Sequence, residues 1–145
     1  MSDDCEKWET DCEKVRVENK KLLEAFGEWL DAKGLKKKTL QDHVFNVDFF
    51  INTYLLYYDA TSAAEGVHNI SSFFNEWFCR KVMWASENSV KKIAASLKKF
   101  YQYLFEADSV KERDVSELKA ACRDEMPQWI EAVRRFNALA DSDKW

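Results

Sequence analysis

The segment Ser86–Phe105 separates apolar and basic side chains onto opposite sides of a single helix. At about 100° of rotation per residue, the apolar arc of this helix consists of Val90, Ile93, Ala94, Leu97, Phe100, Tyr101 and Leu104. The opposite arc consists of Lys91, Lys92, Ala95, Lys98, Lys99 and Gln102, with no acidic residue. Because the apolar arc is stable only when it is covered, the remaining chain must supply elements that pack against it.

Turn-forming residues are too scarce for a fold built from many short strands. The chain has three glycines and one proline among 145 residues, whereas sandwiches and barrels need many tight turns. The hydrophobic fraction of 46% excludes a disordered chain, and a chain of this length buries about two-thirds of its unfolded surface. We therefore predict one all-α domain over residues 1–145, which needs neither disulfides nor a metal to fold.

Hydrophobic periodicity predicts six helices, at about 12–33, 39–58, 69–84, 86–105, 113–122 and 124–140, with frayed residues at 1–10 and a tail at 141–145. Thr39, Asn69 and either Ser86 or Ser89 are the predicted N-caps, and Gly34 is the predicted left-handed C-cap. The residues of the second helix predicted to be covered are Leu40, Val44, Phe45, Val47, Phe49, Ile51, Tyr54, Leu55, Leu56 and Tyr58. The last helix is predicted to face inward through Trp129, Ile130, Val133, Phe136 and Leu139.

The charge of −4 is distributed unevenly along the chain. Residues 33–42 hold four lysines against one aspartate, and residues 80–99 hold six basic residues against one glutamate. Residues 1–20 and 106–125 each hold seven acidic residues against four basic ones. A surface polarised in this way can bind an anion locally although the protein as a whole is acidic.

The four cysteines, Cys5, Cys12, Cys79 and Cys122, form no CxxC pair and lie far in sequence from both histidines. This pattern indicates reduced thiols in a cytoplasmic protein rather than disulfides or a metal site. The N-terminus does not read as a signal peptide, and the longest apolar runs are too short to span a bilayer. We therefore expect a cytoplasmic protein without membrane contact.

Two stretches resemble the core-binding domain of the phage-integrase (tyrosine recombinase) family, a SAM-like fold. LLEAFGEWLDAKGLKKKTLQDHVFNVDFFINTYL is similar to its first two helices, and ASENSVKKIAASLKKFYQYLFEAD is similar to its fourth helix. The resemblance covers about residues 20–108. It implies four core helices in two crossed hairpins, followed here by one or two C-terminal helices over residues 109–145.

The resemblance also implies that the second and fourth helices contact duplex DNA. The matching positions are Lys36, Lys37, Lys38, Thr39, Lys91, Lys92, Lys98 and Lys99. Recombinases continue into a catalytic domain with an arginine–histidine–arginine set and a nucleophilic tyrosine. Residues 109–145 contain neither histidine nor tyrosine, so the resemblance extends to DNA binding but not to DNA cleavage or joining.

Clustered lysines can bind DNA because their ammonium groups displace counterions from phosphates. The alternative is a solvated outer helix face, which is where lysines usually lie. Phe45, Phe49, Tyr57 and Tyr58 are either packed residues or stacking platforms for a single strand, and His43 is either a packed side chain or a phosphate contact. No nucleophile with a base, glycine-rich phosphate loop or metal-ligand spacing is recognisable, so we expect neither an enzyme nor a cofactor.

Two functions therefore remain open from the sequence. The first is a non-catalytic module that binds duplex DNA through the lysine-rich helices 2 and 4. The second is a protein-interaction module that keeps the fold without binding DNA, with a homodimer or another protein held through Trp129, Phe136 and Leu139 of the C-terminal helices.

Overall fold

The computed structural model describes residues 2–142, which form a bundle of helices without any strand. The all-α prediction is confirmed. The helices are α1 (Ser2–Ala32), α2 (Lys37–Asp48, continued by a π-helical turn at Phe49–Tyr54), α3 (Ile70–Ser72, Phe73–Phe78 and Cys79–Lys81, with the middle segment π-helical), α4 (Glu87–Glu106), α5 (Glu112–Asp124) and α6 (Met126–Ser142). A short 3-10 helix, Glu65–His68, precedes α3. Across residues 2–142, no helix combines the length and apolar character needed to cross a bilayer.

Helices α1 and α2 form an antiparallel hairpin. Gly34 ends the first helix with a φ of 86°, as predicted for a left-handed cap. Leu40 and Val44 of α2 cross α1 at Gly27, where an added methyl group would meet the Val44 side chain at 3.8 Å. Further along the hairpin, the buried Asn19 amide donates to the side-chain oxygen of Asn52 over 2.7 Å. These contacts fix the register of the two helices.

Helix α4 is the centre of the core. All seven residues of its predicted apolar arc are buried. Ser86 and Ser89 form a reciprocal capping box, in which the Ser86 hydroxyl accepts from the Ser89 amide at 3.0 Å and the Ser89 hydroxyl accepts from the Ser86 amide at 2.8 Å. Helix α1 packs against α4 through an edge-to-face contact between Phe26 and Phe100, whose ring centroids are 5.3 Å apart. The predicted boundary and core face of α4 are therefore confirmed.

The connection between α2 and α3 packs against α4 rather than extending into solvent. The buried Tyr101 hydroxyl donates to the Ala63 carbonyl over 2.7 Å. Gly66 lies so close to the side chain of Leu55 that any Cβ at this position would clash with it. This long loop is thereby held at two points on the core.

Several predicted helix ends are wrong. Helix α1 begins at Ser2 rather than near Cys12. Its first turn contains Asp3 and Asp4, whose negative charges interact favourably with the positive end of the helix dipole and stabilise this end of the helix. Helix α2 begins at Lys37, so Thr39 lies inside it and is not the N-cap. Asn69 is at the N-cap position of α3, as predicted, but its side chain makes no capping bond. Helix α3 ends at Lys81 rather than near Trp84. Met1 and residues 143–145 lie outside the described residues.

The end of α2 also differs from the prediction. A π-helical turn accommodates an extra residue, so the continuous 3.6-residue pattern does not extend to residue 58. Tyr58 is 66% exposed, although it was predicted to be covered. Phe45 is 62% exposed because it lies on the side of α2 that no other helix covers.

Helices α5 and α6 complete the core on the α3 and α4 side. Val115, Leu118 and Cys122 of α5 are buried. Trp129 of α6 is fully buried and stacks on Phe74, with ring centroids 4.5 Å apart. Leu139 is 54% exposed, so its predicted inward orientation is wrong, because α6 continues beyond the part of the core it covers. Helix α6 starts at Met126, with Pro127 in its first turn, and runs to Ser142.

Candidate nucleic-acid interface

A shallow groove of about 390 Å³ lies where α1, α4 and α5 meet. Its lining residues are Trp29 from α1, Ala95, Lys98, Lys99 and Gln102 from α4, and Lys119 from α5. Three lysines therefore line one opening, together with an indole ring and a small alanine. This arrangement suits a ligand with negative charge and a flat or ribbon-like shape.

The packing of three helices explains why these side chains meet. The outer arc of α4 supplies Lys98 and Lys99 at successive positions. Helix α5 packs on α4 through its buried face, Leu118 and Cys122, and this contact brings the neighbouring Lys119 to the same opening. The contact between Phe26 and Phe100 places Trp29, one turn further along α1, at the opposite edge.

The groove is basic, with one carboxylate at its border. Lys33 lies over the Trp29 ring, with its Nζ 5.0 Å from the ring centroid. Glu106 accepts hydrogen bonds from Gln102 Nε2 and from Trp29 Nε1, each at 3.2 Å. These two donors, first Gln102 and then Trp29, hold the pKa of the Glu106 carboxyl below its ordinary value. Glu106 thus orients the indole and the amide while four lysines set the sign of the local charge.

Lys98 is partly buried between α4 and α5. Burial raises the pKa of the Cys122 thiol, and the nearby positive charge of Lys98 partly opposes that shift. The Lys98 stem therefore packs against the interface of these two helices while its ammonium group lines the groove.

His43 connects α2 to the same region of α4. Its Nδ1 lies 2.8 Å from the Ser96 hydroxyl oxygen, which also accepts a hydrogen bond from Asn46 Nδ2 at 3.0 Å. The Ser96 hydroxyl lies 3.1 Å from the Lys92 carbonyl, to which it donates. Burial lowers the pKa of His43, and the positive charge of Lys99 lowers it further. Near neutral pH, His43 is therefore a packed, uncharged hydrogen-bonding residue rather than a phosphate ligand.

We expect His43 to make the folded state less stable in mild acid. Because the pKa of His43 is lower in the folded protein, the unfolded state binds more protons as the pH falls below about 6.5. The free energy of unfolding should therefore decrease between about pH 7 and pH 5.5, and His43→Gln should flatten that decrease. Urea denaturation at several pH values measures the slope, with His68→Gln as the matched control. An identical slope in wild type and His43→Gln would contradict the account.

The structure separates the eight predicted DNA-contact residues. Only Lys98 and Lys99 line the groove. Lys91 forms an ion pair with Glu87 at 3.3 Å, and the same carboxylate binds Arg134 of α6 at 2.8 Å. Lys92 is exposed on the neighbouring turn of α4. The other four, exposed at the start of α2, are Lys36, Lys37, Lys38 and Thr39, of which Lys38 forms an ion pair with Asp42 at 3.6 Å.

Sequence reasoning missed three residues of this region. Trp29 is large and apolar, so its residue type indicates a core position rather than a binding site. Lys119 belongs to a segment that is acidic overall, and Lys33 was counted only in the local charge. Two acidic residues of that segment, Asp114 and Glu117, lie away from the groove, beside His68, whereas Glu106 lies at its border.

The group of His68, Asp114 and Glu117 is the one set among the described residues that could hold a metal ion. One ligand atom from each residue lies within 4.8 Å of the others. His68 Nε2 and Asp114 Oδ1 are 3.9 Å apart. Asp114 also accepts a hydrogen bond from the Lys111 amide at 3.2 Å, so one of its oxygens already serves as the cap of α5.

No family model, curated protein or solved structure matches this chain. The resemblance to the recombinase core-binding domain therefore stays a prediction from short sequence motifs.

Proposed function

We propose that this chain is a non-catalytic module that binds the phosphate backbone of duplex DNA through the groove between α1, α4 and α5. The observation that carries this proposal is the meeting of Lys98, Lys99 and Lys119, from two helices, around one opening next to Lys33. Lysines on a merely solvated face would have no reason to converge in this way. The resemblance of α2 and α4 to a DNA-binding domain supports the same choice of ligand.

The chemistry of the groove favours backbone contacts over base reading. Lysine ammonium groups act as point charges that bind phosphates, whereas base reading relies on bidentate side chains such as arginine, asparagine or glutamine. Gln102 is the only such side chain in the groove lining, and it is already bonded to Glu106. Binding should therefore depend little on DNA sequence. The exposed Lys36 and Lys37, at the start of α2, extend the positive charge available to a longer duplex.

A fluorescence-anisotropy titration with a labelled, random-sequence duplex tests the proposal. Three or four phosphate contacts predict that log K falls against log salt with a slope of about −3 to −4. Raising salt from about 50 mM to about 200 mM should then weaken binding by on the order of 10²-fold. A shuffled duplex of the same length should bind equally. Absence of binding at the lowest salt, or a slope near zero, would refute the proposal.

The competing function, protein interaction, has its own observation in its favour. The predicted interface through Trp129 is wrong, because that side chain is fully buried within the chain itself. A different apolar surface is exposed on the α2 and α3 side of the molecule.

A further inference from the structure

Five large hydrophobic side chains are exposed around the ends of α2 and α3. They are Phe45, Tyr57, Tyr58, Met83 and Trp84. Met83 is fully exposed, and it adjoins Trp84, which is 51% exposed. Scattered single hydrophobic residues are normal on a surface, but a contiguous group of this size marks an interaction site.

Ring contacts join these residues into one surface, which we name the aromatic surface. Trp84 packs on Phe49 with ring centroids 5.4 Å apart, and Phe45 lies one helical turn before Phe49 on the same side of α2. Tyr57 packs on Trp77 at 5.5 Å and on Tyr58 at 4.8 Å.

Met83 and Trp84 stand between two open grooves. One, of about 490 Å³, is lined by residues that include Phe49, Tyr57 and Lys81. The other, of about 600 Å³, includes Arg80 and Phe136. A partner that covers the aromatic surface can therefore place side chains on both sides of this pair.

The aromatic surface carries a positive edge. Lys81 Nζ lies 5.7 Å from the Tyr57 ring centroid, and the Arg80 guanidinium lies 5.5 Å from that of Phe136. Among the side chains of residues 3–140, neither cation forms an ion pair with a carboxylate. The surface therefore suits a partner that presents an apolar side chain among acidic ones.

The first ten described residues of the chain present that chemistry. They contain Asp3, Asp4, Glu6, Glu9 and Asp11 against the single base Lys7, together with the exposed Trp8. Between residues 3 and 11 no side chain is buried, although the backbone is helical throughout. These first turns of the long helix α1 therefore leave their side chains open to contact by a partner.

The position of this segment fits pairing between two copies. Cys12 Sγ lies 3.9 Å from the Leu56 carbonyl, and α1 runs antiparallel to α2. The residues before Cys12 therefore project beyond the end of α2, next to Tyr57 and Tyr58, by about 15 Å at 1.5 Å per residue. In a two-fold dimer, the acidic start of α1 of each copy can then contact the aromatic surface of the other copy.

We propose that two copies of this chain form a two-fold dimer in which the acidic start of α1 of each copy lies on the aromatic surface of the other. Trp8 contributes the apolar contact. Glu6, Glu9 and Glu13, which line one face of α1, approach Arg80 and Lys81. This dimer leaves the groove between α1, α4 and α5 free, because no residue of the aromatic surface lines that groove.

A charge-swap experiment tests the dimer. Sedimentation velocity of the wild-type chain should show a dimer whose dissociation constant rises with salt. Arg80→Glu/Lys81→Glu should weaken dimerisation by at least about tenfold, and so should Glu6→Lys/Glu9→Lys. An equimolar mixture of the two variants should restore a dimer, since each acidic surface then meets a basic one.

Folding failure cannot imitate the result, because Glu6 and Glu9 are exposed side chains and because recovery on mixing requires both variants to be folded. Lys14→Glu/Lys20→Glu, on the exposed side of α1, is the matched control and should leave the dimer intact. A wild-type chain that stays monomeric at high concentration would overturn the proposal. So would variants that dimerise like wild type, or a mixture that does not recover, both of which would indicate another occupant of the aromatic surface.

Discussion

Replacing Lys98, Lys99 and Lys119 together with glutamate is expected to abolish measurable binding to duplex DNA at about 0.1 M salt. The three side chains line one groove, so reversing their charges converts the proposed phosphate-binding surface into one that repels phosphate. Replacing them with glutamine removes the same charges without adding repulsion. That variant should bind on the order of 10²-fold more weakly than wild type and lose about three units of the salt slope.

The control for this prediction changes the same net charge elsewhere. Lys14, Lys20 and Lys21 are exposed on α1 and do not line the groove. Their replacement by glutamate should lower affinity only through the weaker overall field, by a few fold, and circular dichroism checks that both triple variants are folded. If the control loses as much affinity as the groove variant, DNA binding depends on net charge and the groove is not the site.

Trp129→Ala is expected to lower the free energy of unfolding by about 3–5 kcal/mol. The indole is fully buried and stacks on Phe74, so its removal leaves a cavity between α3 and α6. Trp129→Phe should cost much less, because phenylalanine keeps the ring contact and removes an indole N–H that is buried without a hydrogen-bond partner,. Urea denaturation monitored by circular dichroism measures both values.

The exposed Trp8 supplies the matched control for this substitution. Trp8→Ala removes the same ring from a side chain that makes no core contact, so the stability of the monomer should change by less than about 0.5 kcal/mol. A loss below about 1 kcal/mol in Trp129→Ala would show that α6 is not anchored on the core in the way described here.

The sequence predicted α4 well because two local signals agree there. The apolar residues follow a helical period without interruption from Val90 to Leu104, and Ser86 and Ser89 cap the helix start. An apolar face of this kind is buried regardless of which helices pack against it. Local signals also predicted the left-handed C-cap at Gly34.

The prediction failed where the local sequence pattern does not determine how the helices pack. A π-helical turn at Phe49–Tyr54 breaks the 3.6-residue period, so a pattern read straight through placed Tyr58 in the core. The acidic start of α1 has no apolar periodicity, and its polar composition suggested fraying rather than a helix. The exposure of Phe45 and Leu139 depends on where the neighbouring helices end, and hydrophobic periodicity carries no information about those positions.

The groove was harder to predict than the fold. Lysines Lys98 and Lys99 were identified because they lie on a polar arc of one helix. Lys119 is separated from them by the α4–α5 connection, and only the packing of Leu118 and Cys122 brings it to the same opening. Trp29 is both a neighbour of the core and a wall of the groove, and its hydrophobicity revealed only the first of these roles. A site formed by three helices becomes visible only once their crossings are known.

The two proposals would combine into one assembly. A dimer held through the aromatic surfaces leaves the groove between α1, α4 and α5 open on each copy. Two grooves on one particle would raise the apparent affinity for a long duplex through effective concentration, without any new contact. Binding curves for short and long duplexes should then differ in the wild type and converge in Arg80→Glu/Lys81→Glu.

The central claim is that DNA contacts this particular groove, and an NMR titration tests it most directly. Amide and indole resonances of nitrogen-labelled protein would be followed as a short duplex is added at low salt. The account predicts the largest shifts at the Trp29 indole, at the amides of Ala95 and Lys98 to Gln102, and at Lys119, with Lys14 to Lys21 and Tyr57 to Trp84 little affected. Shifts centred on either of those two control regions, or no shift at any residue, would contradict it.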